Sequence, residues 1–148
     1  MYFVDRKLIE ERLQYMEQLI ETFSKEKSLE SKDQQFMLER IAHMTIEVMI
    51  DVGNQMIDGF IMRDPGSYDD VVDILLDEKV ISKDDANSIK QLIPWRKALL
   101  QQYTKVDHNR LYQAFHKESV TLLNFPGKVR IYLENELGPV SAFLPQKD

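Results

Sequence analysis

Arg96, Leu99, Leu100 and Tyr103 follow one another at steps of three, four and seven residues, the spacing that returns side chains to one side of a helix. A guanidinium in such a row can meet an anion, and Lys97 adds a positive charge beside it. The same row also describes packing, with Leu99 and Leu100 in a core, Tyr103 beside them and Arg96 snorkelling or paired with an acid. Gln101, inside the row, can donate and accept hydrogen bonds but does not titrate. A second set is His43, Glu47 and Asp51, an i, i+4, i+8 column that invites a metal reading. Metal sites inside helical bundles take Glu-x-x-His from two helices. Here Glu39 and His43 are four apart and no second pair exists, so the column reads as a polar seam or a solvated face. No metal and no cofactor is expected.

Other chemistries lack their motifs. There is no phosphate-binding G-x-x-x-x-G-K-[ST], no G-x-G-x-x-G, no H-E-x-x-H, no EF-hand loop and no G-x-S-x-G elbow. Without cysteine, neither a disulfide, a thiolate metal site nor a Cys nucleophile can form. The 148 residues carry a net charge of −6, unevenly spread. Residues 1–89 hold 10 basic and 20 acidic side chains, whereas residues 90–130 hold eight basic and two acidic, a net of +6. Scattered around solvated helices these charges mean little, but gathered they would attract a phosphate backbone or an acidic partner. No apolar run approaches membrane-spanning length and the first residues lack a signal-peptide pattern. A cytoplasmic protein with no membrane partner is expected.

The elements that must position these residues are helices. Ile9, Leu13, Met16, Ile20 and Phe23 step by four and three, predicting a first helix to about Lys25. Ser31 with Gln34 reads as a capping box, opening a second helix from Lys32 to about Met62. Leu38, Ile41, Thr45, Val48, Val52 and Gln55 form its stripe, and Asp64-Pro65-Gly66 ends it. Ser67 with Asp70 predicts a third helix, and Ser82 with Asp85 a fourth, kinked before Trp95 by Pro94 and resuming through Tyr103. Asp107 caps a fifth helix, which Pro126-Gly127 kinks or breaks. These make an all-α, up-and-down bundle of about five helices in one domain, residues 1–137, with an irregular tail at 138–148. Apolar residues on two sides of the second helix predict a homodimer.

Two segments resemble a known family. Leu38 to Asn54, with Glu47, Asp51 and Asn54 at recurring polar positions, is similar to the second helix of HepT-like proteins of the HEPN superfamily. Arg96-Lys-Ala-Leu-Leu-Gln-Gln-Tyr103, followed by Val106-Asp107, resembles their Arg-Asn-x-x-x-His-x-Tyr motif. The resemblance implies a HEPN-like fold and a metal-independent endoribonuclease, the toxin of a toxin–antitoxin pair, whose two Arg/His motifs meet in a dimer cleft. It implies that Arg96 binds RNA phosphate and steadies developing negative charge, and that Glu47, Asp51, Asn54 and Lys97 line the cleft. It also implies that Tyr103 accepts AMP from a MntA-like nucleotidyltransferase antitoxin.

The chain departs from the motif at two places. Gln101 stands where the family has His, and Lys97 where it has Asn. An amide cannot move a proton, and general acid–base assistance contributes roughly 10²–10⁴-fold in rate, so cleavage is expected to be weak or lost. His108 lies twelve residues from Arg96 in a helix-cap region, outside the family spacing. On a straight helix Gln101 points about 140° away from Arg96, so convergence needs either a distorted helix or a second chain. Three functions stay open: a weak ribonuclease, a non-catalytic nucleotide- or RNA-binding regulatory dimer beside a nucleotidyltransferase, and a helical interaction protein whose Arg96 and Tyr103 serve packing.

Overall fold

The Asp5 side chain accepts the backbone N–H of Lys7 at 2.9 Å and starts α1 (Arg6–Lys25). Every residue of its predicted stripe, Ile9, Leu13, Met16, Ile20 and Phe23, is buried. Ser31 and Gln34 form the reciprocal capping box of α2 (Lys32–Gly59), which at 1.5 Å per residue is about 42 Å long. Ser67 caps α3 (Tyr68–Asp77), and Ser82 with Asp85 boxes the start of α4 (Lys83–Leu92). Pro94 is the first residue of α5 (Pro94–Gln101), where its missing N–H costs nothing to the helix it begins. Asp107 caps α6 (His108–Lys117), and α7 (Ser119–Glu136) follows. The computed structural model describes residues 4–136 and 142–144. Among them the fold is all-helical, with seven helices rather than about five.

The long α2 is the spine, packed against α1, α3, α5 and α6, while α7 lies on α1 and α4. Its second apolar side, which suggested a partner copy, is covered within the protomer. Gly53 sits so close to α3 that an added Cβ would lie 2.7 Å from Val71 Cγ1, and Ile57 packs with Val71 and Ile74. The burial-based argument for a dimer therefore falls away.

Three boundaries differ from expectation. First, α2 stops at Gly59 instead of Met62. Ile61 takes φ 55° and the Met62 N–H reaches back to the Ile57 carbonyl at 2.9 Å, a Schellman-type end without glycine. The Gly59 carbonyl, which would have served the next turn, accepts Ala142 N–H at 2.7 Å. Ala142 and Leu144 also pair with Val4 in a short parallel bridge. The rest of the tail from residue 138 lies outside the described residues.

Second, α5 ends at Gln101 and does not reach Tyr103. Third, the helix begun at Asp107 breaks at Glu118, while α7 runs on through Pro126. Proline there frees one carbonyl, and its buried ring compensates by packing. The Glu118 break lets α6 pack on α2 while α7 packs on α1. Two polar clasps fix α7. Asp85 accepts from Thr121 Oγ1 at 3.2 Å and from Lys128 Nζ, and Arg130 bridges Glu10 and Glu17 of α1.

Candidate functional site

Arg96 is the third residue of α5, and the break at Ile93-Pro94 turns it onto α2. Its Nε donates to Glu47 Oε1. Its guanidinium carbon also lies 5.0 Å from the centroid of the Tyr68 ring, within the range of a cation–π contact. Of the sequence-level readings of Arg96, pairing with an acid is therefore realised, with Glu47 as the acid. Only Nε is engaged. The two terminal nitrogens have no hydrogen-bond partner among the described residues and neither is fully buried; the side chain as a whole is 29% exposed. A planar fork of donors is thus held at its base with its tip unpaired, the arrangement that donates to two oxygens of a phosphate. The Glu47 hydrogen bond raises the Arg96 pKa above the ordinary arginine value, with the charges of Glu47, Tyr68 and Asp51 adding to it. Arg96 stays cationic at any working pH.

His43, one turn before Glu47, places Nε2 3.6 Å from the same carboxylate oxygen. That is too long for a hydrogen bond and becomes an ion pair only when the ring is protonated. Asp51, one turn after, has its pKa raised chiefly by loss of surrounding water; the Arg12 charge opposes this, Glu47 adds to it and Arg96 opposes it. The column found in the sequence is therefore the seat of an arginine. Among the described residues no three of His, Asp and Glu gather as a metal would require. Asn54 lines a shallow depression of about 460 Å³ together with Tyr68.

The rest of the motif takes no part in the Glu47–Arg96–Tyr68 contact. Lys97 and Gln101 are exposed, and Tyr103 lies past the helix end with 67% of its surface in solvent. Leu100, expected in the core, is 44% exposed, whereas Leu99 is buried. α5 carries no distortion after Pro94 that would bring Gln101 round to Arg96. His108 is occupied: its Nε2 lies 2.9 Å from Glu39 Oε2, tying α6 to α2. Tyr68 was missed in the sequence. It follows a capping serine and carries no signal, because its role comes from α3 and α5 both packing on α2.

Residues 9–129 match the HepT-like family, described as Ribonuclease HepT-like. The chain belongs to this family. A relative in Bacillus subtilis (strain 168), named "Putative RNase YutE", is 49% identical over 143 residues, which cover 97% of this chain and 99% of that protein. A solved structure titled "Structure of Cytosolic Protein of Unknown Function YutE from Bacillus subtilis" superposes with a TM-score of 0.89 at 49% identity, covering 97% of this chain and all of that one. No helix among the described residues is long and apolar enough to cross a membrane.

Proposed function

We propose that this HepT-like protein binds the RNA backbone through Arg96, with Lys97 alongside, and that its metal-independent cleavage is weak or lost. The observation that carries the reading is the Arg96 fork, fastened by Glu47 at Nε and free at both terminal nitrogens. Such a group binds phosphate and stabilises the charge that develops on it. Cleavage by the RNA 2′-hydroxyl also needs a proton acceptor and a donor to the leaving 5′-oxygen. At the motif position Gln101 supplies neither. In this reading the protein is a homodimer whose two Arg96 motifs share a cleft with Glu47, Asp51 and Asn54. It is the toxin-derived half of a toxin–antitoxin pair, and exposed Tyr103 is the AMP acceptor for a MntA-like nucleotidyltransferase.

Exposed Gln101 favours one second reading within the same fold, a non-catalytic RNA- or nucleotide-binding regulatory dimer. Incubation with single-stranded and structured RNA in EDTA separates the two. Little cutting is expected from the parent, none from Arg96→Ala, and a rise of 10-fold or more from Gln101→His if an imidazole there reaches the RNA, on the order of the acid–base contribution. Cutting by the parent that Arg96→Ala leaves intact would refute the proposal.

A further inference from the structure

Trp95, the only tryptophan of the chain, is absorbed by none of the preceding chemistry. It is partly buried on α5, one residue before Arg96. Two depressions meet over it, of about 400 and 460 Å³, and both are also lined by Arg110 of α6. Each is of a size that holds a nucleotide-sized group. Lys105 stands in the first and Lys117 in the second. Lys105, Arg110 and Lys117 are exposed and form no ion pair with any described residue. Two acids share the lining. Asp107, in the first, is already committed through Oδ1 to the Arg110 backbone N–H at 3.1 Å, and Glu118, in the second beside Lys117, leaves three cations against two acids along the groove. The groove falls inside the one stretch of this acidic chain that is net positive.

We infer that this groove between α5 and α6 binds a short single-stranded RNA segment, with a base stacked on Trp95 and phosphates on Lys105, Arg110 and Lys117. Aromatic platforms flanked by unpaired cations bind single strands because every base has a π-face and every nucleotide a charge. A duplex cannot use the platform, since its bases are already stacked. The inference rests on the proposed action on RNA but uses residues distinct from Arg96 and Glu47.

The sole tryptophan is its own reporter. The full chain is titrated with a ten-nucleotide oligouridylate, following Trp95 fluorescence and, separately, the anisotropy of an end-labelled copy, across a salt series. Quenching of Trp95 is expected, with a stronger response to the single strand than to a duplex of equal length. The triple variant Lys105→Ala, Arg110→Ala, Lys117→Ala changes only exposed side chains. It should weaken binding about tenfold and lower the slope of log K against log salt by about 2, since each phosphate contact on a single strand contributes roughly 0.7. Trp95→Phe should weaken binding while leaving the salt slope unchanged. Binding seen by anisotropy that neither quenches Trp95 nor responds to the triple variant, yet is lost in Arg96→Ala, overturns the groove and leaves the Arg96 proposal standing. Absence of binding in both readouts overturns both. Quenching by polyglutamate equal to that by RNA overturns the RNA assignment in favour of an acidic peptide.

Discussion

The clasp at Asp85 gives the most fully worked prediction, because it holds α4, and through it α5, against α7. Asp85 is 7% exposed, and its carboxylate serves three donors: the Ser82 backbone N–H at 3.0 Å, Thr121 Oγ1 at 3.2 Å and Lys128 Nζ. Asp85→Ala removes half of a capping box, a loss of about 1 kcal/mol. It also deprives a buried threonine of a charged acceptor, about 1.5 kcal/mol. The Lys128 pair adds at most about 1 kcal/mol, since the lysine is 35% exposed and screened. The total is about 3 kcal/mol, which in a chain of this length lowers Tm by about 10 °C. Asp85→Asn keeps an acceptor in place and should lose about half as much.

The pH dependence of this loss has a definite sign. Burial works to raise the Asp85 pKa, but the Lys128 ammonium and the Ser82 backbone and hydroxyl outweigh it, and the net shift is downward. A carboxylate with a lowered folded-state pKa contributes stability that is complete above its unfolded value of about 4 and is lost as pH falls through the folded value. Urea denaturation of parent and Asp85→Asn at pH 7 and at pH 3 should therefore show a difference that shrinks in acid. An Asp85→Ala protein within 1 kcal/mol of the parent at pH 7, or a deficit that grows at pH 3, would refute the reasoning.

The remaining predictions concern packing, modification and assembly. Gly59→Ala would place a Cβ 2.2–2.5 Å from three ring atoms of Phe143, so the ring must leave and about 1–3 kcal/mol is lost; urea melts should show this cost vanishing when the substitution is made in a Phe143→Ala background. Incubation with a cognate nucleotidyltransferase and ATP should add one AMP to the 67%-exposed Tyr103, read by peptide mass spectrometry, and modification confined to other residues would contradict it. Light scattering should report twice the 17.5 kDa chain mass, and a monomer at all concentrations would remove the shared cleft.

Most local features were legible in the residues because their causes are local. A capping serine and its partner three residues on meet whatever the rest of the chain does, so Ser31, Ser67 and Ser82 marked helix starts correctly. The four-and-three spacing in α1 marked its buried face, and the missing N–H of Pro94 marked the α4–α5 break. The motif row was legible as residue types, including the replacement of an imidazole by Gln101. What the spacing could not say was which members meet.

Only the tertiary structure decided those meetings. Glu47 and Arg96 are 49 positions apart, and Tyr68 reaches Arg96 from a third helix, so no periodicity along one helix could pair them. The α2 end depends on Ala142 and Phe143 arriving from the far end of the chain, and the exposure of Leu100 depends on which neighbours α5 finds. Hydrogen bonds within one turn are specified by the few residues they join. Contacts between helices are fixed by the packing of all of them at once, and no segment carries that information alone.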